Sequence, residues 1–225
     1  MDFEKYWLKK FSTSVESVVT EEKKKEILDG SAVLSEHSSR DEVFSWTENA
    51  LMKLNKIVDK ETQKHIMLRC ACHYPSRDLD DLKTLYSKTK DIKLVHNKLQ
   101  EKFEQFLSSL NIKQRYKEEI LKRKMGLAGN LENNYIIATK IPKSAYIASW
   151  FEEEDKNKKR QIYCHCPRIR DVLIDQEKKL PEIYCFCGAG YYQNIWETIL
   201  QRPVKVEVIE SVISGGDVCK IKIHL

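Results

Sequence analysis

Long apolar runs are missing from this 225-residue chain. None approaches the ~18 consecutive apolar residues that a membrane-spanning helix needs, so no membrane partner is expected. The N-terminus, MDFEKYWLKKF, lacks the apolar core and small-residue cleavage site of a secretory signal. A cytoplasmic location is expected on that basis. Proline and glycine are scarce, at 5 and 7 residues, which leaves few obligatory breaks and favours helices. Charge of one sign is also scarce, the net value being only +5. The basic run Lys156, Lys158, Lys159, Arg160 follows Glu152, Glu153, Glu154 and Asp155, and reads as a solvated hairpin tip. Together with the short run Lys122, Arg123, Lys124 it makes a poor polyanion surface, so nucleic acid is not expected as a partner. There is no phosphate-cradling glycine loop, no GxSxG elbow and no HExxH. These absences leave open whether the chain is an enzyme.

Cysteine is what the chain does have. Six of its seven cysteines form three Cys-X-Cys pairs, Cys70/Cys72, Cys164/Cys166 and Cys185/Cys187, and Cys219 stands alone. Two thiols spaced by one residue on an extended backbone project to the same face. Two such pairs brought together offer four soft ligands, which suits zinc first and an iron–sulfur cluster second. The odd count and the expected reducing compartment argue against structural disulfides. Cys164, Cys166, Cys185 and Cys187 are therefore the expected metal ligands, with Cys70, Cys72, His73 and Cys219 as possible additions. In a regular helix Cys70 and Cys72 would point about 200° apart, so they can share an ion only if the helix ends between them, as Pro75 permits. A reactive or redox thiol site and plain buried packing remain alternatives. His165 should point away from its neighbouring cysteines. Arg168 and Arg170 could hold an anion or pair with Asp171 or Asp175, whereas Asp78, Asp80 and Asp81 read as an acidic first helical turn.

The periodicity predicts helices over 14–29, 41–58, 60–72, 78–89, 91–110 and 113–124. Beyond Gly126 it predicts a strand at Tyr135–Ala138, a hairpin over 145–166, a helix from Gly190 and a hairpin closing on Gly215 and Gly216. The fold class is α+β: a helical half, 1–125, packed on an antiparallel sheet with flanking helices, 126–225. Leu51, Leu54, Phe103 and Phe106 are expected to be buried against that sheet.

From Gly188 to Leu225 the chain resembles the end of the 4-vinyl-reductase domain. Gly190-Tyr191 opens a helix, Pro203-Val204 starts a strand containing Val206-Glu207, and Gly215-Gly216 turns before Cys219, Ile221 and Ile223. The terminal GDVCKIKIHL is also similar to uncharacterised relatives of the L-2-amino-thiazoline-4-carboxylic acid hydrolases. The first resemblance implies a helix-lined pocket for a small apolar ligand, near Trp150, Phe151, Tyr191, Tyr192 and Trp196. It also implies a metal-ligand cysteine where this chain has Ser211, a thiolate that the extra cysteine pairs could replace. A small-molecule ligand and a homodimer are thus possible partners.

Overall fold

The computed structural model describes residues 2–175 and 178–225. Helices α1 (Phe3–Glu16), α2 (Glu21–Leu28), α3 (Arg40–Ile57), α4 (Lys60–Arg69), α5 (Asp80–Thr89), α6 (Ile92–Ser109) and α7 (Gln114–Lys122) come first. Local chemistry sets several of their starts. Ser39 and Glu42 form a reciprocal capping box at α3, Asp59 accepts the Glu61 and Thr62 N–H groups at α4, and Asp91 accepts that of Leu94 at α6. The continuous helix expected over 14–29 is instead divided. Thr20 caps a new helix, Glu21 and Glu22 fill its first turn, and Gly30 follows in the left-handed region at φ 76°.

The sheet combines β1 (Asn130–Leu131), β2 (Tyr135–Thr139), β3 (Val206–Glu210) and β4 (Lys220–His224) in the order β1-β2-β4-β3, all antiparallel. Its pattern follows from period-two alternation. Ile136, Ala138, Val206, Ile221 and Ile223 are buried, while Glu207 pairs with His224 at 3.0 Å on the other face.

Between β2 and β3 lie α8 (Ile147–Glu152), α9 (Lys156–Tyr163) and α10 (Phe186–Leu200). The hairpin expected over 145–166 is thus a pair of helices. Asp155 accepts the Lys158 N–H at 2.8 Å, and the Lys, Arg and Gln residues that follow are good helix formers.

Two cores share the chain. One packs α10 on the sheet through Tyr192, Ile195, Trp196 and Ile199, with Leu82, Val95 and Leu99 from the helical half. The other packs Trp7, Phe11, Phe44, Leu51, Leu54, Ile66 and Met67 around the segment from Tyr163 to Phe186. Leu51 and Leu54 are buried as expected, but in this second core rather than on the sheet. Phe103 is buried too, whereas Phe106 is 46% exposed. The buried stripe of α6 is Val95, Leu99, Phe103 and Leu107, and Phe106 lies one residue off it. Gly190 lets α10 and α4 meet, since a Cβ there would overlap the Leu68 carbonyl oxygen and the Ala71 methyl. No helix among the described residues is long and apolar enough to cross a membrane.

Candidate thiol site

The site is organised where β2 and β4 end. The Lys140 N–H donates to the Cys219 carbonyl at 3.0 Å, continuing the ladder by one step. The buried Tyr163 hydroxyl then ties the two strands together, donating to the Lys140 carbonyl at 2.6 Å and accepting the Cys219 N–H at 3.0 Å. Because Tyr163 ends α9, this link delivers Cys164 and Cys166 to the sheet end. On the other side a short 3₁₀ turn, Glu182–Cys185, runs into α10 and brings Cys185 and Cys187. Cys187 therefore sits in a helical turn rather than in the expected loop, and Gly188 and Gly190 are helical as well.

Electrostatic contacts connect the sulfurs. Cys166 and Cys219 bear on Cys164, and Cys219 and Cys166 bear on Cys185, so these four lie within electrostatic reach of one another. Cys187 lies within the same reach of Cys166, Cys72 and Cys70, and its sulfur donates to the Cys70 carbonyl at 3.4 Å. All seven are free thiols; Cys70 and Cys164 are buried and Cys72 is exposed. Burial, reinforced by neighbouring thiols, holds Cys70 and Cys164 well above the ordinary thiol range. The same causes push Cys185 and Cys187 up to about 12. Burial raises Cys219 as well, and the Lys140 ammonium partly opposes it. At neutral pH these are protonated thiols.

Polar groups nevertheless approach several of these sulfurs. The Tyr184 hydroxyl lies 3.1 Å from the Cys166 sulfur. The Cys166 N–H, the Ser211 hydroxyl and the Val212 N–H lie near Cys164, Cys185 and Cys219 and partly oppose the effect of burial there. The buried Trp7 indole N–H lies near Cys187 but makes no hydrogen bond among the described residues. Lys140 adds a half-buried ammonium that acts on Cys164, Cys185, Cys187 and Cys219, and it meets no carboxylate among the described residues. Donors and a cation aimed at sulfur stabilise the anionic form. Neither Lys140 nor the donors Trp7 and Tyr184 are marked by any motif. The Ser211 hydroxyl donates to the Ser214 hydroxyl at 3.0 Å and accepts the Ser214 N–H at 3.2 Å. As the side chains stand, no three or more His, Cys, Asp or Glu among the described residues form a ready metal-holding group.

Other expected residues lie apart from this chemistry. The half-buried His165 donates from Nε2 to the Ile141 carbonyl at 2.6 Å, and burial beside Lys140 lowers its pKa to about 4. It is a neutral strut. His73 is exposed and near the Lys10 ammonium, a neighbour that disfavours a metal there. Arg168 is fully buried and faces Glu4 at 2.9 Å, Thr47 at 3.0 Å and the Trp7 ring at 3.7 Å, so it is committed to the core. Arg170 pairs with Asp171 at 3.1 Å. Trp150, Tyr192 and Trp196 are buried core residues, and Phe151 stacks on Tyr116. Surface depressions at Asp80, Asp81, Thr84, Leu85 and Lys88, and between α1 and α2, lie outside the thiol region.

The fold and site together define an α+β protein with a thiol-rich centre at one end of its sheet. A model of a family of unknown function, DUF6144, matches residues 79–225, and the chain belongs to that family. Cys164, Cys166, Cys185, Cys187, Cys219 and Lys140 fall inside the matched span, while Trp7, Cys70 and Cys72 precede it. No curated protein and no solved structure matches the chain.

Proposed function

We propose that the ring of Cys164, Cys166, Cys185 and Cys219 is a thiolate metal centre, with zinc as its ion. The observation that carries this reading is the donor set. Cys164, Cys185 and Cys219 lie within electrostatic reach of the Lys140 ammonium at the sheet end, and the Tyr184 hydroxyl lies 3.1 Å from the Cys166 sulfur. Buried packing alone needs no such donors, whereas metal-bound thiolates use them to spread negative charge. The ring replaces the set expected from sequence at one position, with Cys219 in the place of Cys187.

Binding requires two changes in this chain. Each sulfur turns about χ1 toward a common point, and each thiol gives up its proton to the solvent on binding. The Lys140 ammonium then balances part of the negative charge of a four-thiolate set. A four-thiolate zinc site has no open position, so its role is structural: it clamps the ends of α9, the α10 entry and β4. Zinc would supply no reaction chemistry in that arrangement.

Metal analysis of the full chain, purified anaerobically under reducing conditions, tests the proposal. Colourless protein with stoichiometric zinc, lost in Cys219→Ser and retained in Cys187→Ser, is the expected result. Protein that takes up no metal on reconstitution would overturn it. Visible absorption with iron and labile sulfide would replace zinc by the iron–sulfur alternative.

A further inference from the structure

The Cys164/Cys166 pair runs straight into a turn that the helical half grips by charge. The Arg170 N–H donates to the Cys166 carbonyl at 3.0 Å, and Pro167 and Arg168 lie inside that turn. Both are held by residues that precede the family-matched span. Arg40 Nη1 donates to the Pro167 carbonyl at 3.3 Å and to Glu4 Oε1 at 2.9 Å. Glu4 Oε2 lies 2.9 Å from Arg168 Nε, and Arg168 Nη2 donates to the Thr47 hydroxyl at 3.0 Å. That hydroxyl is itself fixed, because it donates to the Val43 carbonyl at 2.6 Å. The Trp7 ring covers one face of the Arg168 guanidinium at 3.7 Å. One buried carboxylate therefore lies between two guanidinium groups and joins α1, α3 and the turn after Cys166.

From this arrangement we infer that Glu4 is a positioning residue for Cys166, acting through Arg168 and Arg40 to set where that sulfur stands. Packing alone does not call for the charges, since apolar side chains of similar volume often replace a buried ion pair without loss of stability. What the charges add is direction. A planar guanidinium fork fixes the angle of its partner as well as its distance. The other holds on this stretch are few: His165 Nε2 donates to the Ile141 carbonyl at 2.6 Å, and the Cys166 sulfur lies 3.1 Å from the Tyr184 hydroxyl. Releasing Glu4 leaves Cys166 anchored on one side only. The helical half is on this view part of the thiol site, although none of its cysteines is needed there. The inference rests on the preceding reading only in taking Cys166 as a metal ligand.

Two measurements on the full chain provide the test: alkylation rates of each cysteine in reduced, metal-free protein, and zinc release from loaded protein to a chelator. Glu4→Gln keeps the volume and removes the charge, and Glu4→Leu/Arg168→Met fills the space with apolar groups. In both variants Cys166 should alkylate about tenfold faster, and zinc should leave about tenfold faster, as for loss of an outer partner of a metal ligand. Cys219, whose N–H is held by the Tyr163 hydroxyl, should keep its parent rate. A double variant with the parent's urea midpoint and the parent's Cys166 rate would overturn the inference and leave Glu4 with a purely structural role. Equal acceleration at every cysteine would also overturn it, because that reports general loosening. A selective Cys166 change in protein that takes up no zinc would uphold the positioning role and overturn the four-thiolate centre instead, so the two failures are distinguishable.

Discussion

The two cores are built on opposite terms. The core between α10 and the sheet holds no buried ion pair among the described residues, and Trp196, Ile199, Ile221 and Ile223 are nearly inaccessible, with the Trp196 indole N–H buried unpartnered. The core around the Tyr163–Phe186 segment contains a buried ion pair, Glu4–Arg168, together with buried thiols. Apolar burial contributes about 25 cal/mol per Å² without needing partners. A buried polar group costs free energy unless each of its atoms is matched. The first core needs only shape and pattern. The second also depends on residues from remote segments being in place, and that requirement is what points to function.

Arg168→Ala should sharpen the contrast most. It leaves the Glu4 carboxylate buried with only Arg40 as a cation at 2.9 Å. Losing one partner of a buried pair costs about 3–5 kcal/mol. Urea unfolding should register that loss, and the double variant Glu4→Leu/Arg168→Met should recover most of it. Failure of the double variant to recover would mean the pair is worth more than apolar packing. Gly190→Ala comes next, because the new methyl would collide with backbone at the α4–α10 contact. Overpacking of this kind costs about 1–3 kcal/mol. An unchanged urea midpoint would show that the helices can separate freely.

Smaller effects test the edges of the comparison. Hydrogen bonds from the Thr62 N–H and hydroxyl, chiefly, hold the Asp59 pKa below the ordinary carboxylate value. The contribution of a depressed carboxylate is present above its unfolded pKa and is lost as pH falls through the folded one. Asp59→Ala should therefore be less stable than the parent at neutral pH, and the gap should close in acid. A gap that stays constant down to low pH would contradict the role of its charge at the α4 cap. Phe106→Ser should cost about 1 kcal/mol or less, because the ring is 46% exposed and only its inner edge packs on Phe103. A large loss would reveal a surface that is covered in solution.

Much of the architecture was legible because it is local. Asp59, Asp91 and the Ser39–Glu42 box announce helices within four residues of themselves. The alternation through Val206, Val208, Ile221 and Ile223 announces the closing strands. The segment 145–166 was misread because short runs fit strand and helix alike, and Asp155 decides the matter only as a cap. Phe106 was misplaced because one residue of phase on a helix separates core from solvent. At the site, the cysteine spacing was visible, but the partners of each sulfur were not. Trp7, Lys140, Tyr184 and Ser211 come from separate stretches and carry no mark of their task.

The sequence by itself determined which chemistry is available, since six thiols in three close pairs and a seventh apart offer soft-metal binding or thiol reactions. It also determined the helix starts and the strand faces, because caps and periodicity act over a few residues. Tertiary structure alone decided which thiols meet, which stays exposed, and which donors and cation face them. Those outcomes depend on packing between segments more than a hundred residues apart, such as Glu4 on Arg168 and Cys70 on Cys187. No local pattern carries that information, because a contact of this kind is set by the shape of the assembled core rather than by the residues on either side of it.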